Sequence, residues 1–453
     1  MSQTLLKALQ NPDLYDHPVS GFTLIETHIS WVLLTGEFVY KVKKPVNFGF
    51  LDFSSLEQRK HFCAEEVRLN RRLAPDLYLG VVSVHGTETA PSLNSDGPAI
   101  EYMVKTRQFE QTDLLGNLQR AGALTAEHID SLAAKLAQFH LHIDHAPADS
   151  PWGEPDNVHA PVADNFNSIR PLLSDADDQA QLDQLEQWAH TTFQRLIPQL
   201  AQRKADGFVR ECHGDTYLDN VTLIKGEVTL FDGIEFNDAF RWTDVMADVA
   251  FMVMDLEDRG LIELAQRFLN AYMEHTGDYA GLALLDYYST VALHLVEQLG
   301  AIRIRSDVER KRLFGNQGAG EMNSGLYSAE RSTQTYERLA SLAGQILAAG
   351  YPVVVDATHL KQAQRDTLRQ AIKDQGAPCL ILQCSAPLDT IESWMEVRRQ
   401  QGRDPSDGDI SVAREQLLAR EALTGEEQAS ALQVETDSTD SIALLVSQLR
   451  QRF

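Results

Sequence analysis

The sequence predicts an α+β domain of two lobes followed by an α/β domain. Three observations predict it. After a short N-terminal helix, strand-like runs around one longer helix fill residues 1–105, and helices surround a polar hairpin in residues 106–285. From about residue 300 onward, short apolar runs alternate with helices, the pattern of parallel strands joined by crossover helices. The expected domains are therefore 1–105, 106–285 and 286–453.

Composition sets the class. The 453 residues are 43% hydrophobic and 23% charged, as in ordinary globular proteins with room for two or three cores. A formal charge of −25 argues against nucleic acid as a partner, because phosphate backbones are held by Lys and Arg. It suits solubility, or a cationic small molecule. Cys63, Cys212, Cys379 and Cys384 form no C-x-x-C pair, which points to a reducing compartment. No apolar run reaches the about 18 residues needed to cross a bilayer. The first residues lack a basic segment leading into an apolar one, so a cytoplasmic location and no membrane partner are expected.

The first lobe begins with a short helix and a Pro-containing loop up to about residue 20. Residues 27–34 and 38–42 read as strands, with Thr35-Gly36-Glu37 as the turn between them. The second strand carries Lys41, with Lys43 and Lys44 close by. Residues 56–73 read as a helix with Phe62, Val67, Leu69 and Leu73 on its apolar side. It holds two acidic candidates, Glu65 and Glu66, about 100° apart around the axis, so one of them can face the lysine strand. Strands at 80–84 and 99–104 complete the lobe, and a linker follows near residues 106–109.

The second lobe opens with a helix from Thr125 to His142, started by Thr125 and Glu127. His140, His142 and His145 invite a metal reading, although a helix-end cluster is the commoner arrangement. Residues 146–165 read as a loop and 179–202 as a long amphipathic helix. Then comes His213-Gly214-Asp215-Thr216-Tyr217-Leu218-Asp219-Asn220, and, after a hairpin turning at Lys225-Gly226-Glu227, Asp232-Gly233. Residues 236–244 read as a loop, and residues 245–256 as an apolar helix containing Asp248.

Asp215, Asn220 and Asp232 have the order and spacing of the H-R-D-x-x-x-x-N and D-F-G elements of kinases, with Gly214 in place of Arg. The Gly variant resembles the aminoglycoside phosphotransferase branch of the kinase-like fold. Ala64 to Pro75 strengthens the likeness. The resemblance implies a kinase-like two-lobed domain that transfers phosphate from ATP to a hydroxyl of a small molecule. Asp215 would orient and deprotonate that hydroxyl, and Asn220 with Asp232 would hold Mg²⁺. Lys41, oriented by Glu66, would hold the ATP phosphates; Lys43 with Glu66 and Lys41 with Glu65 are the competing pairs. Asp248 would brace the catalytic loop by hydrogen bonding.

The C-terminal third resembles P-loop nucleotide kinases. Runs at 301–305, 352–356 and 378–382 are buried-strand candidates, followed by helices at about 328–349, 360–375 and 387–400. Asp356 resembles the metal-side Asp of those kinases. Arg398, Arg399 and Arg403 resemble the lid over ATP, which makes Arg398 and Arg403 implied cofactor contacts. The whole chain thus resembles a bifunctional family that fuses a phosphotransferase domain to a P-loop ATP-binding domain. One element departs: no G-x-x-x-x-G-K-[ST] string exists to cradle phosphates. The expectation is a P-loop-kinase-like domain lacking its first strand and P-loop, joined to the first domain by one helix over residues 282–299. The alternative function is a non-catalytic nucleotide-binding or interaction protein descended from an active fusion.

Overall fold

The structure is a computed structural model that describes residues 3–49, 51–173, 175–290, 302–315, 329–385, 390 and 420–435. It divides into two compact units: residues 1–276 with 284–294, and residues 277–283 with 295–453.

In the first unit, α1 (Gln3–Ala8) leads into β1 (Thr23–Glu26), β2 (Ser30–Leu34) and β3 (Phe38–Lys43). The helix α2 (Leu56–Asn70) follows, then β4 (Tyr78–Thr87), β5 (Ala90–Leu93) and β6 (Ala99–Arg107). The sheet runs β1-β2-β3-β6-β4-β5 and is antiparallel at every pairing. It buries Leu33, Tyr40, Val42, Val84 and Met103 against Leu5 and Leu9 of the N-terminal segment. A second cluster packs Cys63 and Val67 of α2 onto Tyr78 and Val104. The helix starts with a reciprocal capping box, Ser55 with Gln58, a cap of about 1 kcal/mol. Two strands that the sequence pattern did not announce, β1 and β5, stand at the two edges, where short and partly exposed runs carry little alternation.

The helical lobe comprises α3 (Leu115–Arg120), α4 (Ala126–His142), α5 (Pro155–Ile169) and α6 (Ala176–Ala205). Part of the loop expected over 146–165 is therefore helical. Pro155 sits in the first turn of α5, where a missing N–H costs nothing, and Val162 and Phe166 are buried, so packing outweighs the internal Pro161. Next come β7 (Val209–Glu211), β8 (Val221–Ile224) and β9 (Glu227–Leu230). Then α7 (Asp238–Arg241), β10 (Trp242–Asp244), α8 (Val245–Asp258), α9 (Ile262–Thr276) and α10 (Leu282–Thr290) follow. The loop expected at 236–244 is instead a helical turn, capped by Asn237, and a strand that pairs with β7, Trp242 opposite Glu211. The hairpin β8–β9 turns on Lys225 and Gly226, both with positive φ, as a two-residue loop between twisted strands requires.

The second unit holds β11 (Ile302–Arg305), α11 (Ser306–Phe314), α12 (Ala329–Ala348), β12 (Val353–Asp356) and α13 (Gln362–Asp374). The strands β13 (Ile381–Ser385) and β14 (Ala431–Glu435) flank the short α14 (Gly425–Ala429). The strand β11 pairs with β12, and β13 with β14, both in parallel. Among the described residues these are two separate two-stranded sheets. This is an α/β arrangement in which, among the described residues, no strand joins β12 to β13. Ile302 and Ile304 bury against the apolar face of α12, where Leu339, Leu342, Ala343 and Ile346 are also buried. Apart from residue 390, the helix expected at 387–400 lies outside the described residues, as do Arg398, Arg399 and Arg403 and the part of the 282–299 helix beyond Thr290. No helix among the described residues is long and apolar enough to cross a membrane.

Candidate active site

The loop that begins at His213 is held by one carboxylate. Asp248, on α8 and almost fully buried, accepts the backbone N–H of His213 and of Gly214, each at 2.8 Å. His140 Nε2 completes its shell at 3.1 Å, and His140 Nδ1 meets the Tyr272 hydroxyl at 2.8 Å. Burial would raise the Asp248 carboxyl, but these partners outweigh it and hold the group below the usual carboxylate range. His140, Cys212 and Asp248 place ligand atoms within 4.8 Å of one another. His140 and Asp248 spend theirs on each other and on the loop, so His140 is a brace. His142, by contrast, is an exposed helix-end residue bonded back to Gln138.

Gly214 is a glycine for two reasons. Its φ is +83°, and a Cβ there would lie 2.9 Å from the Phe240 carbonyl oxygen. The sharp turn it permits presents Asp215 beside the hairpin. Asn220 closes the loop: its Nδ2 donates to Asp215 Oδ2 at 3.0 Å and to the Asp215 carbonyl at 3.0 Å. That leaves the Asn220 side-chain oxygen as the ligand atom it offers. Burial, and next the charge of Asp232, push the Asp215 carboxyl up to about 7, although the Asn220 hydrogen bond opposes the rise.

Asp232 follows β9 with φ of +59°, a left-handed conformation unusual for a non-glycine residue. The surrounding backbone is tied on every side. Phe231 N donates to the Asn220 carbonyl at 3.0 Å, Asp232 N to the Tyr78 hydroxyl at 3.2 Å, and Gly233 N to Asn70 Oδ1 at 2.8 Å. Ile234 N donates to the His213 carbonyl at 3.0 Å, joining the two loops directly. Burial would raise the Asp232 carboxyl, but Lys41 holds it below its usual value. Its side chain stays about 40% exposed, open to a cation.

Across the cleft, Lys41 Nζ lies 2.6 Å from Asp232 Oδ1 and 3.1 Å from Glu66 Oε1. Lys43 Nζ lies 2.6 Å from Glu66 Oε2 and also pairs with Glu235. Glu66 therefore takes both lysines, and the two pairings that compete in the sequence coexist. Glu65 turns away to Arg68 at 2.8 Å. The lobes are further joined at Glu211, which receives Arg68 at 2.8 Å, Arg72 at 3.1 Å and Arg241 at 3.2 Å. Arg72, two residues past α2, also donates to the Glu211 carbonyl at 2.7 Å, so the end of α2 is fastened to the strand that leads to His213.

Of the residues singled out from sequence, Asn220 bonds Asp215, Lys41 pairs with Glu66 and Asp232, and Asp232 lies close enough to Asp215 to raise its carboxyl, so the five form one cluster. Arg398 and Arg403 lie outside the described residues. Asp356 ends β12 about half exposed and pairs with Arg303. Sequence reasoning missed Glu235, Asn70 and Tyr78; it weighed Lys43 only as a competing partner of Glu66, and His140 only as one of a helix-end histidine cluster. The one available signal was alternation on β3, which sends Lys41 and Lys43 to the same face.

Comparison with known proteins places these features in context. The sequence model described as the phosphotransferase enzyme family matches residues 40–285, and one described as an AAA domain matches residues 289–423. Uncharacterized proteins of Mycobacterium tuberculosis and Mycobacterium bovis are 27% identical over 472 aligned residues, which cover 90% of this chain and 92% of theirs. Among solved structures, a choline/ethanolamine kinase family protein from Mesorhizobium loti aligns with a TM-score of 0.38 and 11% identity, over 77% of this chain and 97% of that one. A glucosamine kinase in complex with glucosamine, ADP and inorganic phosphate aligns with a TM-score of 0.34 and 14% identity, over 64% of this chain and 74% of its own.

Proposed function

Because the chain belongs to the phosphotransferase enzyme family, whose model spans more than half of it, we propose that it transfers the terminal phosphate of ATP to a hydroxyl of a small molecule, with Mg²⁺ as cofactor, in the cytoplasm. The observation that carries this reading is the clustering of Asp215, Asn220, Asp232, Lys41 and Glu66. Family membership supports a phosphotransferase, this geometry supports a metal and phosphate site, and the acceptor class rests on the resemblance to aminoglycoside phosphotransferases.

Each residue has a task fitted to its surroundings. Asp215 accepts the proton of the acceptor hydroxyl, and its raised carboxyl is matched to base work near neutral pH. The Asn220 amide fixes the rotamer of Asp215 and offers an oxygen to the metal. Asp232 offers its exposed carboxylate to the same ion. Hard oxygen donors of this kind suit Mg²⁺, which supplies charge neutralisation on the phosphate oxygens. Lys41 is kept protonated by Asp232 and Glu66 and binds phosphate as a point charge.

The test is purified protein with Mg-ATP and a panel of hydroxylated metabolites, read as ADP formation and as phosphate on the acceptor. Asp215-dependent transfer is expected. An Asp215→Ala protein as active as the wild type would sink the proposal. Loss of the P-loop motivates the second reading, a nucleotide-binding protein without turnover. Mg-dependent ATP binding with no acceptor phosphorylated would favour it.

A further inference from the structure

The cleft holds more charge than the proposed reaction uses. One lysine, its orienting glutamate and a metal-side aspartate suffice to place ATP phosphates. Here five groups form a ladder: Asp232, Lys41, Glu66, Lys43 and Glu235. Glu66 gives one oxygen to each lysine. Asp232 and Glu235, three residues apart on one loop, take one lysine each. Lys43, Glu66 and Glu235 are at most 4% exposed, so the second half of the ladder is shut off from solvent. Lys43 also lies 4.8 Å from the Phe53 ring centroid, which fixes its head further. Burying an extra Lys–Glu pair is often no better for stability than packing apolar side chains in its place.

The two lysines differ in what they can do. Lys41 has an exposed edge and touches the exposed carboxylate of Asp232, so it can turn to a phosphate. Lys43 is fully enclosed and cannot. We propose that Lys43 and Glu235 are positioning residues for Mg-ATP. They hold Glu66 on α2 and the Asp232 loop in register while Lys41 exchanges its contact with Asp232 for one with phosphate. Without them the ties between α2 and the metal loop are Lys41 and the contact of Asn70 with the Gly233 backbone, and taking a phosphate weakens the first, the one that holds the Glu66 and Asp232 side chains together. This inference rests on the ATP and Mg²⁺ reading above.

The experiment is calorimetric titration of the full chain with Mg-ATP, alongside thermal melting. Replacing both partners with apolar groups of similar size, Lys43→Met with Glu235→Leu, leaves no unpaired buried charge from this pair. A positioning role predicts a melting temperature near that of wild type and Mg-ATP affinity weaker by about tenfold or more. Lys43→Arg, which keeps the charge, should recover part of that loss. If the double variant does not fold, Glu235→Gln serves under the same criterion, with weaker Mg-ATP binding expected in a protein that melts normally. A folded variant binding Mg-ATP within about twofold of wild type would overturn the inference and leave a structural role only. Failure of the underlying reading looks different: wild type would show no Mg-dependent ATP binding, or Asp232→Asn would not change it, and this inference would fall with it.

Discussion

Lys41 sits 2.6 Å from Asp232 Oδ1, on the carboxylate that the proposed reaction assigns to Mg²⁺. A monovalent ammonium and a divalent cation thus compete for one group. Asp232→Asn removes the charge that attracts both, while the backbone ties of the loop, to Tyr78, Asn70 and His213, remain. ADP formation should fall by about a thousandfold or more, with the melting temperature nearly unchanged. Steady-state kinetics at saturating Mg²⁺ together with a melting curve check this, and retained turnover would count against Asp232 as a metal ligand.

Asp215 gives a pH prediction. Its carboxyl is raised to about 7 by burial and by Asp232, and a base works only when deprotonated. As pH falls through that value the active fraction falls, by about tenfold per unit once below it. Bound Mg²⁺ adds positive charge nearby and favours the carboxylate, so the midpoint with Mg-ATP should lie at or below about 7. A profile of kcat/KM from pH 5 to 9 should show one acid limb. A rate independent of pH across that range would remove Asp215 from the role of base.

Much of this site was legible because its chemistry sits on a short, ordered string. From His213 to Asn220, and again at Asp232, the functional groups lie on one hairpin whose turn residues announce it. What was illegible depends on contacts between distant segments. Lys43 is a competing partner for Glu66 in the sequence, but only folding brings it to Glu235 as well, 192 residues away. His140 looked like one of a helix-end cluster, but its neighbours on α4 do not reveal that Asp248 and Tyr272 enclose it. The helix α5 was hidden by Pro161, because local propensity opposes it and only burial of Val162 and Phe166 favours it. The strand β10 is three residues long, too short for alternation to show.

Gly214 tests the geometry of the catalytic loop. Alanine there would need a left-handed φ and would bring its Cβ to 2.9 Å from the Phe240 carbonyl oxygen, a backbone atom held in a helical turn. The expected cost is about 1–3 kcal/mol in stability. Turnover should fall more steeply than Mg-ATP affinity, because the displaced residue is Asp215 and the lysine side of the cleft is untouched. Urea unfolding and a comparison of kcat with nucleotide affinity measure both, and a Gly214→Ala protein of normal stability and turnover would contradict the assigned turn.

Asp248 is the keystone of the same loop. Alanine at this position orphans the N–H groups of His213 and Gly214 and leaves His140 with one fewer partner, all in a buried setting. Such losses cost about 3–5 kcal/mol together. The melting transition of the first unit should drop accordingly. A protein that melts as wild type would show that Asp248 does not brace the loop.

The last prediction separates the two halves of the chain. The second unit has parallel strands and crossover helices, yet the sequence contains no glycine-lysine loop to wrap phosphates with backbone N–H groups. Its strand-end carboxylate, Asp356, is paired with Arg303 on the neighbouring strand, and a second arginine, Arg305, lies 3.8 Å away. Such pairing satisfies Asp356 without a metal. In the first unit, Lys41 holds two carboxylates and faces the cleft, so its loss should be felt directly by phosphate. Lys41→Met should therefore weaken Mg-ATP binding by about a hundredfold or more, whereas Asp356→Asn should leave it within about twofold of wild type. Calorimetric titration of both variants, in the full chain, measures the two effects against each other. Binding that survives Lys41→Met and is lost in Asp356→Asn would move the nucleotide site to the second unit and reverse the assignment.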